Sequence, residues 1–365
     1  MSSAVGSLSG DGAVTINATA IGGNGGAGDI AAGISAGQGG IAQLGQVSGQ
    51  SGTGAVSVSG TAIGGNGANE NLNNAVRGQT VGPLSLTQNA TGGSALNPGG
   101  SGGYASSVLN QNLAGLSNAP SSLALNVSST GGNGGAANTF TSISGQVQPI
   151  PGGNGGWTRS SAVGILSGDG AVSINATAVG GNGGARDIAA GISAGQGGIA
   201  QLGQVNGQSG TGAVSVSGTA IGGDGSNGAN ENLNNAVSGQ TAGPLSLTQN
   251  ATGGSALNPG GSGGYAGSVL NENLPGLSNA PSSLALNVSS TGGNGGAGDT
   301  FTSTSGQVQP IPGGNGGGTM SSAVGSLSGD GAVTITPLPW AAMGARGILP
   351  RVFPLAKAAL PNWAR

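Results

Sequence analysis

The sequence predicts an all-β fold in which short strands, joined by glycine-rich corners, stack into a parallel β-solenoid (β-helix). Three observations predict it. Stretches of alternating apolar and polar residues recur along the chain, glycine pairs follow most of these stretches, and the chain repeats itself almost residue for residue. Alternation with a period of two is typical of a half-buried strand, and internal repeats are typical of solenoids.

The stretch AVTINATAIGGNGG at residues 13–26 contains the basic unit. Because successive side chains of a strand point to opposite faces, Val14 and Ile16 fall on one face and Thr15 and Asn17 on the other. Val, Ile and Thr all suit a pleated surface. The stretch therefore predicts a strand with one small apolar face and one polar face.

The strand is followed by Gly22, Gly23, Asn24, Gly25 and Gly26. Glycine adopts backbone angles that are closed to other residues, and asparagine tolerates them better than most. The run therefore predicts a sharp corner that depends on the conformational freedom of glycine.

The repeat divides the chain. Residues 2–159 recur at 160–320, and a partial third copy occupies 321–335. The sequence thus predicts one glycine-rich solenoid region over 1–335. Glycine pairs that follow strand-like runs begin, within the first copy, at positions 22, 64, 92, 131 and 152.

Several intervals between these pairs are near one or two times 21, so we expect a coil of about 20 residues. No coil can bury its inner face alone, so stacked coils form the core. Stacking also predicts ladders of side-chain hydrogen bonds from Asn17, Thr19, Asn89 and Asn126. The segment at 69–79 is predicted to be a loop. The alternative is a glycine-rich chain with only transient strands.

Composition supports a thin core. Glycine accounts for 84 of the 365 residues, aromatic residues for 2% and charged residues for 5%. Large side chains are too few for a conventional core, but a formal net charge of -3 is too small for a typical disordered chain.

The tail at residues 336–365 differs from the rest. It contains five prolines, two of the three tryptophans and no acidic residue. We expect an irregular, disordered segment. It has two interpretations, a basic anchor for an acidic surface and a sequence read by accident after a frame change. Residues 1–6 also match 320–325, and no signal peptide is recognisable, so the chain is expected to be a fragment of a longer array.

The residue types exclude the commonest kinds of enzyme catalysis. The chain has no Cys and no His, which removes the usual nucleophile and acid–base pairs. Acids such as Asp11, Asp29 and Glu70 are scattered singly. Residues 22–30 resemble a calcium-binding nonapeptide, but the aspartate is misplaced. We therefore predict no enzyme, no catalytic residue, no cofactor and no metal, and neither nucleic-acid binding nor membrane insertion.

The glycine-rich corners, the TATAIGG-type strands and the long tandem copies resemble the repetitive passenger regions of large bacterial surface adhesins, both filamentous-haemagglutinin-like and autotransporter-type. The resemblance implies an extracellular or cell-surface β-helix that acts as a stalk or contact surface. Expected partners are host or cell-surface glycans or proteins, or neighbouring copies of the chain. The alternatives are a truncated or frame-shifted fragment without function, a carbohydrate-active β-helix enzyme, and an ice-binding solenoid that uses rows such as Thr15, Asn17 and Thr19.

Overall fold

The computed structural model describes residues 1–26, 36–142, 144–188, 190–274, 280–302, 308–327 and 331–340. Over these ranges the protein is all-β, without a helix, which confirms the predicted class. The strands of the described chain are β1 (Ser2–Leu8), β2 (Val14–Ile21), β3 (Leu44–Ser51), β4 (Val56–Ile63), β5 (Glu70–Asn73), β6 (Val76–Gln79), β7 (Pro83–Thr91), β8 (Ala105–Asn112), β9 (Ser122–Thr130), β10 (Asn138–Thr141), β11 (Val147–Ile150), β12 (Thr158–Ile165), β13 (Ala171–Val179), β14 (Ala200–Gln208), β15 (Val214–Ile221), β16 (Glu231–Asn234), β17 (Val237–Gln240), β18 (Pro244–Thr252), β19 (Ala266–Leu274), β20 (Ser283–Thr291), β21 (Asp299–Thr302), β22 (Val308–Ile311), β23 (Thr319–Leu327) and β24 (Ala332–Trp340).

Nine of these strands form one parallel sheet, which we call the long sheet. Its order is β2-β4-β7-β9-β13-β15-β18-β20-β24, so every neighbour is reached by a crossover. Pairing runs without a bulge from each strand to the next, as between β13 and β15 or β7 and β9. The sheet therefore extends through both full copies of the repeat and into the third.

The remaining strands form shorter sheets. Three are parallel, with the orders β1-β3-β6, β17-β14-β12-β8-β5 and β16-β19-β23, and we call them the short sheets. Two antiparallel hairpins, β10-β11 and β21-β22, complete the set found in the described chain. Each long-sheet strand is directly preceded by a short-sheet strand, as β1 precedes β2 and β12 precedes β13, and two short-sheet strands precede β7 and β18.

The spacing along the sequence is wider than expected. Val14 pairs with Val56, Val56 with Leu84, and Leu84 with Leu123, so these long-sheet strands lie 42, 28 and 39 residues apart. This corrects the expectation of about 20 residues. The physical reason is that the path between two long-sheet neighbours contains at least one further strand, as β3 lies between β2 and β4.

The core lies between the long sheet and the short sheets. Alternate residues of each long-sheet strand are buried, and their register stacks them in rows, one of which contains Val58, Leu86, Leu125 and Ile174. Ala162 of β12 belongs to the same cluster. The side chains of this cluster are Ala, Val, Leu and Ile, so an aliphatic core runs along the sheet, as the composition predicts.

Most of the glycine-rich segments are not corners, although Gly67, in the segment that begins at Gly64, has a φ of 65° in a turn. Gly131, Gly132, Gly134 and Gly135 do not have a positive φ. Gly132 N donates to Gly103 O at 2.9 Å, and Gly135 N donates to Gly100 O at 2.7 Å, so neighbouring segments run in opposite directions with a period of three residues. A period of three is that of the polyproline II helix. Glycine is needed at these four positions because neighbouring backbones pack directly against each other. The prediction that these glycines supply unusual backbone angles is therefore wrong.

Two further segments differ from expectation. Residues 69–79, predicted to be a loop, contain β5 and β6. Strand β24 continues to Trp340, five residues past the end of the predicted repeat at Ile335, and pairs with β20 along its length. Residues 341–365 of the predicted tail lie outside the described residues. The described part of the chain contains no helix that could span a membrane.

Candidate functional site

Three rows of outward side chains on the long sheet form a continuous surface, which we call the polar face. A fourth outward row, which includes Ile21, Ile63, Val179 and Ile221, lies beside them and is not counted in the polar face. Register places Thr15 of β2 beside Ser57 of β4, and the same alignment holds from each strand to the next. The three rows of the polar face from β2 to β20 are Thr15, Ser57, Ser85, Ala124, Ser173, Ser215, Ser246 and Ala285; Asn17, Ser59, Thr87, Asn126, Asn175, Ser217, Thr248 and Asn287; and Thr19, Thr61, Asn89, Ser128, Thr177, Thr219, Asn250 and Ser289.

These rows contain hydroxyl and amide groups almost without interruption. The only apolar members are Ala124 and Ala285, and no member is charged or aromatic. With strands about 4.8 Å apart and alternate residues about 6.7 Å apart, the rows cover an area of roughly 34 by 13 Å. The face therefore presents a regular array of hydrogen-bond donors and acceptors without a concentrated charge.

Neighbouring side chains on the face bind each other. Ser128 Oγ donates to Asn89 Oδ1 at 2.7 Å, and Asn89 Nδ2 donates to Thr61 Oγ1 at 3.4 Å. The ladder recurs in the second copy through Ser289, Asn250 and Thr219.

The predicted ladder is thus confirmed at Asn89. Thr19 is the register partner of Thr61, and Asn126 is that of Asn175, so like residues do lie side by side in part of the sheet. Because each bond orients its two side chains, the ladders reduce the rotamer freedom that a ligand would otherwise have to restrict.

Buried polar side chains lie beneath the face. Gln88 points inward from β7 and is fully buried. Its Oε1 accepts from Ala75 N at 2.8 Å, while its Nε2 donates to Val108 O at 3.0 Å and to Ser107 Oγ at 3.1 Å. Gln249 makes the same bonds in the second copy. A polar residue on the apolar side of an alternating run is the signal that identifies such a position from sequence.

Two glutamates are also buried. Glu70 Oε1 accepts from Ala42 N at 2.6 Å, and Glu231 Oε1 accepts from Ala200 N at 2.8 Å. Burial raises the pKa of the Glu70 carboxyl above its usual range and raises the pKa of Glu231 to about 8, with the backbone hydrogen bond opposing the shift in each case. Each carboxyl accepts a backbone hydrogen bond through one oxygen, and Glu70 Oε2 is buried without a hydrogen-bond partner.

The other acids do not converge. Asp11 accepts from Thr53 Oγ1, and its equivalent Asp169 accepts from Thr211 Oγ1. Asp29 and the end of the calcium-like segment lie outside the described residues. Among the residues described, no group of three or more Asp or Glu side chains has a geometry that could hold a metal ion.

Comparison of the chain with protein-family models, with curated proteins and with solved structures finds no match. Its function must therefore be inferred from its own residues and their geometry.

Proposed function

We propose that the chain is a parallel β-solenoid and that it serves as a structural and adhesive segment. Each coil consists of a long-sheet strand, an outgoing and a returning glycine-rich segment, a short-sheet strand and a turn. Two features support this path. Long-sheet neighbours are all parallel and in unbroken register, and the glycine segments bond to one another along the stack. Coils of this kind are held together chiefly by contacts with their neighbours.

The polar face is the proposed contact surface. The observation that carries the proposal is its composition, three aligned rows of Ser, Thr and Asn that are interrupted by Ala124 and Ala285 alone across eight strands. The face lacks the Trp, Tyr and Arg side chains that anchor tight interfaces. Binding would then be the sum of many weak hydrogen bonds to a repetitive partner, for which surface glycans are suitable because they present repeated hydroxyl groups. The resemblance to surface adhesins supports an extracellular or cell-surface location, and it supports surface glycans as partners.

A matched pair of variants tests the face. Asn126 and Asn287 are exposed equivalents in the two copies, both on the polar face. Asn71 and Asn232 are exposed equivalents on strands of the short sheets. Replacing either pair with lysine adds the same charge at comparable exposure, but only the first change alters the polar face.

The readout is binding of the purified full chain to an array of immobilised glycans. We expect wild type and the Asn71→Lys/Asn232→Lys variant to bind the same glycans, and Asn126→Lys/Asn287→Lys to lose at least about tenfold in apparent affinity, because multivalent binding amplifies the loss of each site. Absence of wild-type binding to any glycan, or an equal effect of the two variants, would contradict the proposal.

Ice binding is the second candidate, and one observation favours it. Hydroxyl and amide groups repeat across the polar face at the strand spacing. The side chains of the three rows are similar in type, and none is charged. Thermal hysteresis of the full chain measures this activity directly. A freezing-point gap that Asn126→Lys/Asn287→Lys abolishes would assign the face to ice, and the absence of a gap would remove this candidate.

A further inference from the structure

The outward surface of the short sheets contains a pair of aromatic residues. Trp157 directly precedes β12, and Tyr104 directly precedes β8. The first residues of these strands, Thr158 and Ala105, pair with each other and are buried, so the aromatic residues before them lie side by side and point outward. Their ring centroids are 4.3 Å apart, with the planes inclined at 44°, and Trp157 is 51% exposed. The pair is therefore an accessible aromatic surface in a chain that is only 2% aromatic.

The fold does not depend on this pair. In the second copy the position equivalent to Trp157 is Gly318. There β23 pairs with β19 in the same register as β12 pairs with β8. The strands thus pair in the same way without the tryptophan, and an exposed Trp that the fold does not need is a candidate for binding, because Trp, Tyr and Arg dominate binding energies at interfaces.

Ser106 helps to build the aromatic pair. Its equivalent in the second copy is Gly267, and the ring of Tyr265 lies over that glycine. A Cβ atom on Gly267 would be 3.0 Å from Tyr265 Cε1 and 3.1 Å from Tyr265 Oη. Ser106 carries such a Cβ, so the ring of Tyr104 is displaced from the equivalent position and lies against Trp157. Two differences between the copies therefore act together at one place.

A third difference adds a positive charge. Arg159 is the next outward residue of β12, and Met320 replaces it in the second copy. The Arg159 guanidinium lies beside Gly203 of β14, where a Cβ atom would be 3.2 Å from both Nε and Nη2. Among the residues that the structure describes, no carboxylate forms an ion pair with Arg159. An exposed guanidinium is thus left for an external anion.

The aromatic pair and the guanidinium are separated along the strands. Thr158 N donates to Ile199 O at 2.9 Å, so Ile199 lies beside Trp157 on the side away from Tyr104. Gly203, beside the guanidinium, is four residues further along β14, and four extended residues span at most about 13 Å. Gln201 lies between the two and is the register partner of Arg159. This length suits a ligand of two or three sugar rings.

We propose that Tyr104, Trp157, Arg159 and Gln201, which we call the aromatic site, bind an acidic oligosaccharide. One sugar ring stacks on the aromatic pair, because the C–H groups of a sugar face carry partial positive charge and the faces of aromatic rings are negative. The carboxylate of a neighbouring sugar accepts two parallel hydrogen bonds from the Arg159 guanidinium. The Gln201 amide can both donate to and accept from sugar hydroxyls.

The aromatic site lies across the core from the polar face, and the inference does not depend on what that face binds. A single-stranded nucleic acid also offers stacking rings and negative charge. It requires a positively charged groove along its backbone, however, whereas the aromatic site contains one cation and the chain has a formal net charge of -3. One carboxylate matches one guanidinium, so the acidic oligosaccharide is the better fit.

Calorimetric titration of the full chain tests the site. The probes are soluble di- to tetrasaccharides that contain a uronic or sialic acid, each compared with its uncharged methyl ester. We expect wild type to bind at least one acid with a Kd of about 1 mM or below, and its ester at least about tenfold more weakly, because the ester cannot form the charged hydrogen bonds. A Trp157→Gly variant, which copies the second repeat, should bind both forms at least about tenfold more weakly than wild type.

A matched variant separates the position of the arginine from its charge. Arg159→Met/Met320→Arg moves the arginine to the equivalent place beside Gly318, where no tryptophan is present, and leaves composition and net charge unchanged. It should bind the ester as wild type does and should lose the preference for the acid. Circular dichroism of each variant shows whether the strands are kept.

Four results would overturn the proposal. They are no binding of wild type to any acid of the panel, equal affinity for acid and ester, full binding by Trp157→Gly, and a preference for the acid that survives the transfer of the arginine. Tighter binding of wild type to single-stranded oligothymidylate than to every acid would also overturn it and would assign the site to nucleic acid. Because this site depends on Trp157 and the polar face on Asn126 and Asn287, the two proposals fail separately.

Discussion

A Cβ atom placed on Gly132 would lie 2.0 Å from the carbonyl oxygen of Gly93. Real Cβ atoms do not approach a backbone oxygen so closely, and the oxygen belongs to a segment that cannot move independently. Similar distances are found along the stack, for example 1.8 Å from Gly184 to Gly135 O and 2.0 Å from Gly223 to Gly181 O. The glycine content of the chain therefore reflects the close packing of neighbouring segments.

The first prediction concerns this packing. Gly132→Ala should destabilise the protein by several kcal/mol, because either the segments separate or their hydrogen bonds break. Gly168→Ala is the control, since a Cβ there meets nothing within 4 Å and the backbone has no positive φ. Urea denaturation of both variants measures the difference. Equal midpoints would show that the glycine segments do not pack as described.

The second prediction concerns Gln88. Gln88→Leu keeps the volume roughly constant but leaves Ala75 N and Val108 O without their side-chain partner. An unsatisfied buried group costs about 1–3 kcal/mol, so the variant should lose at least that much stability. Gln79→Leu, at the exposed end of β6, should change stability by no more than about 0.5 kcal/mol in the same urea assay. A Gln88→Leu variant as stable as wild type would contradict the buried network.

The third prediction concerns pH. The folded-state pKa of Glu231, about 8, is above its ordinary value of 4.5, and that of Glu70 is also raised. Such a group binds its proton more tightly in the folded state. Its stabilising contribution is therefore fully present below pH 4.5 and is lost as pH rises through about 8. For Glu231 the loss is on the order of 5 kcal/mol at most.

The variant Glu70→Gln/Glu231→Gln tests this linkage. Its free energy of unfolding, measured from pH 4 to pH 9, should decline less with rising pH than that of wild type. A residual decline is expected from Glu272, whose pKa is also raised by burial. Parallel curves for variant and wild type would show that neither buried carboxyl titrates as described.

The sequence predicted the strands better than the segments between them. Alternation located β2, β4, β7 and β9, because period-two burial leaves a direct trace in residue type. Most of the glycine segments were misread as corners, since composition alone does not distinguish a need for unusual φ from a need for close approach.

The buried polar positions were also missed. Glu70 and Glu231 lie in short strands of four residues, too short for alternation to be recognised. Gln88 was detectable as an inward-facing residue, but what it binds depends on β5 and β8, which are distant in sequence. Thr15 and Asn17 were enough to predict that the outward face of β2 is polar. The number of strands that share this face depends on register, which only the structure gives.

Long-sheet strands stack in sequence order at a constant spacing, and distances between labelled residues of one row measure this spacing. Ser59, Asn126 and Asn287 share one row of the polar face, and the chain has no natural cysteine to interfere with labelling. Pulsed electron paramagnetic resonance on spin-labelled Ser59→Cys/Asn287→Cys and Asn126→Cys/Asn287→Cys should give distances near 29 Å and 19 Å, from six and four steps of about 4.8 Å. Narrow distributions separated by about 10 Å would support the stack. Broad or coincident distributions would contradict it.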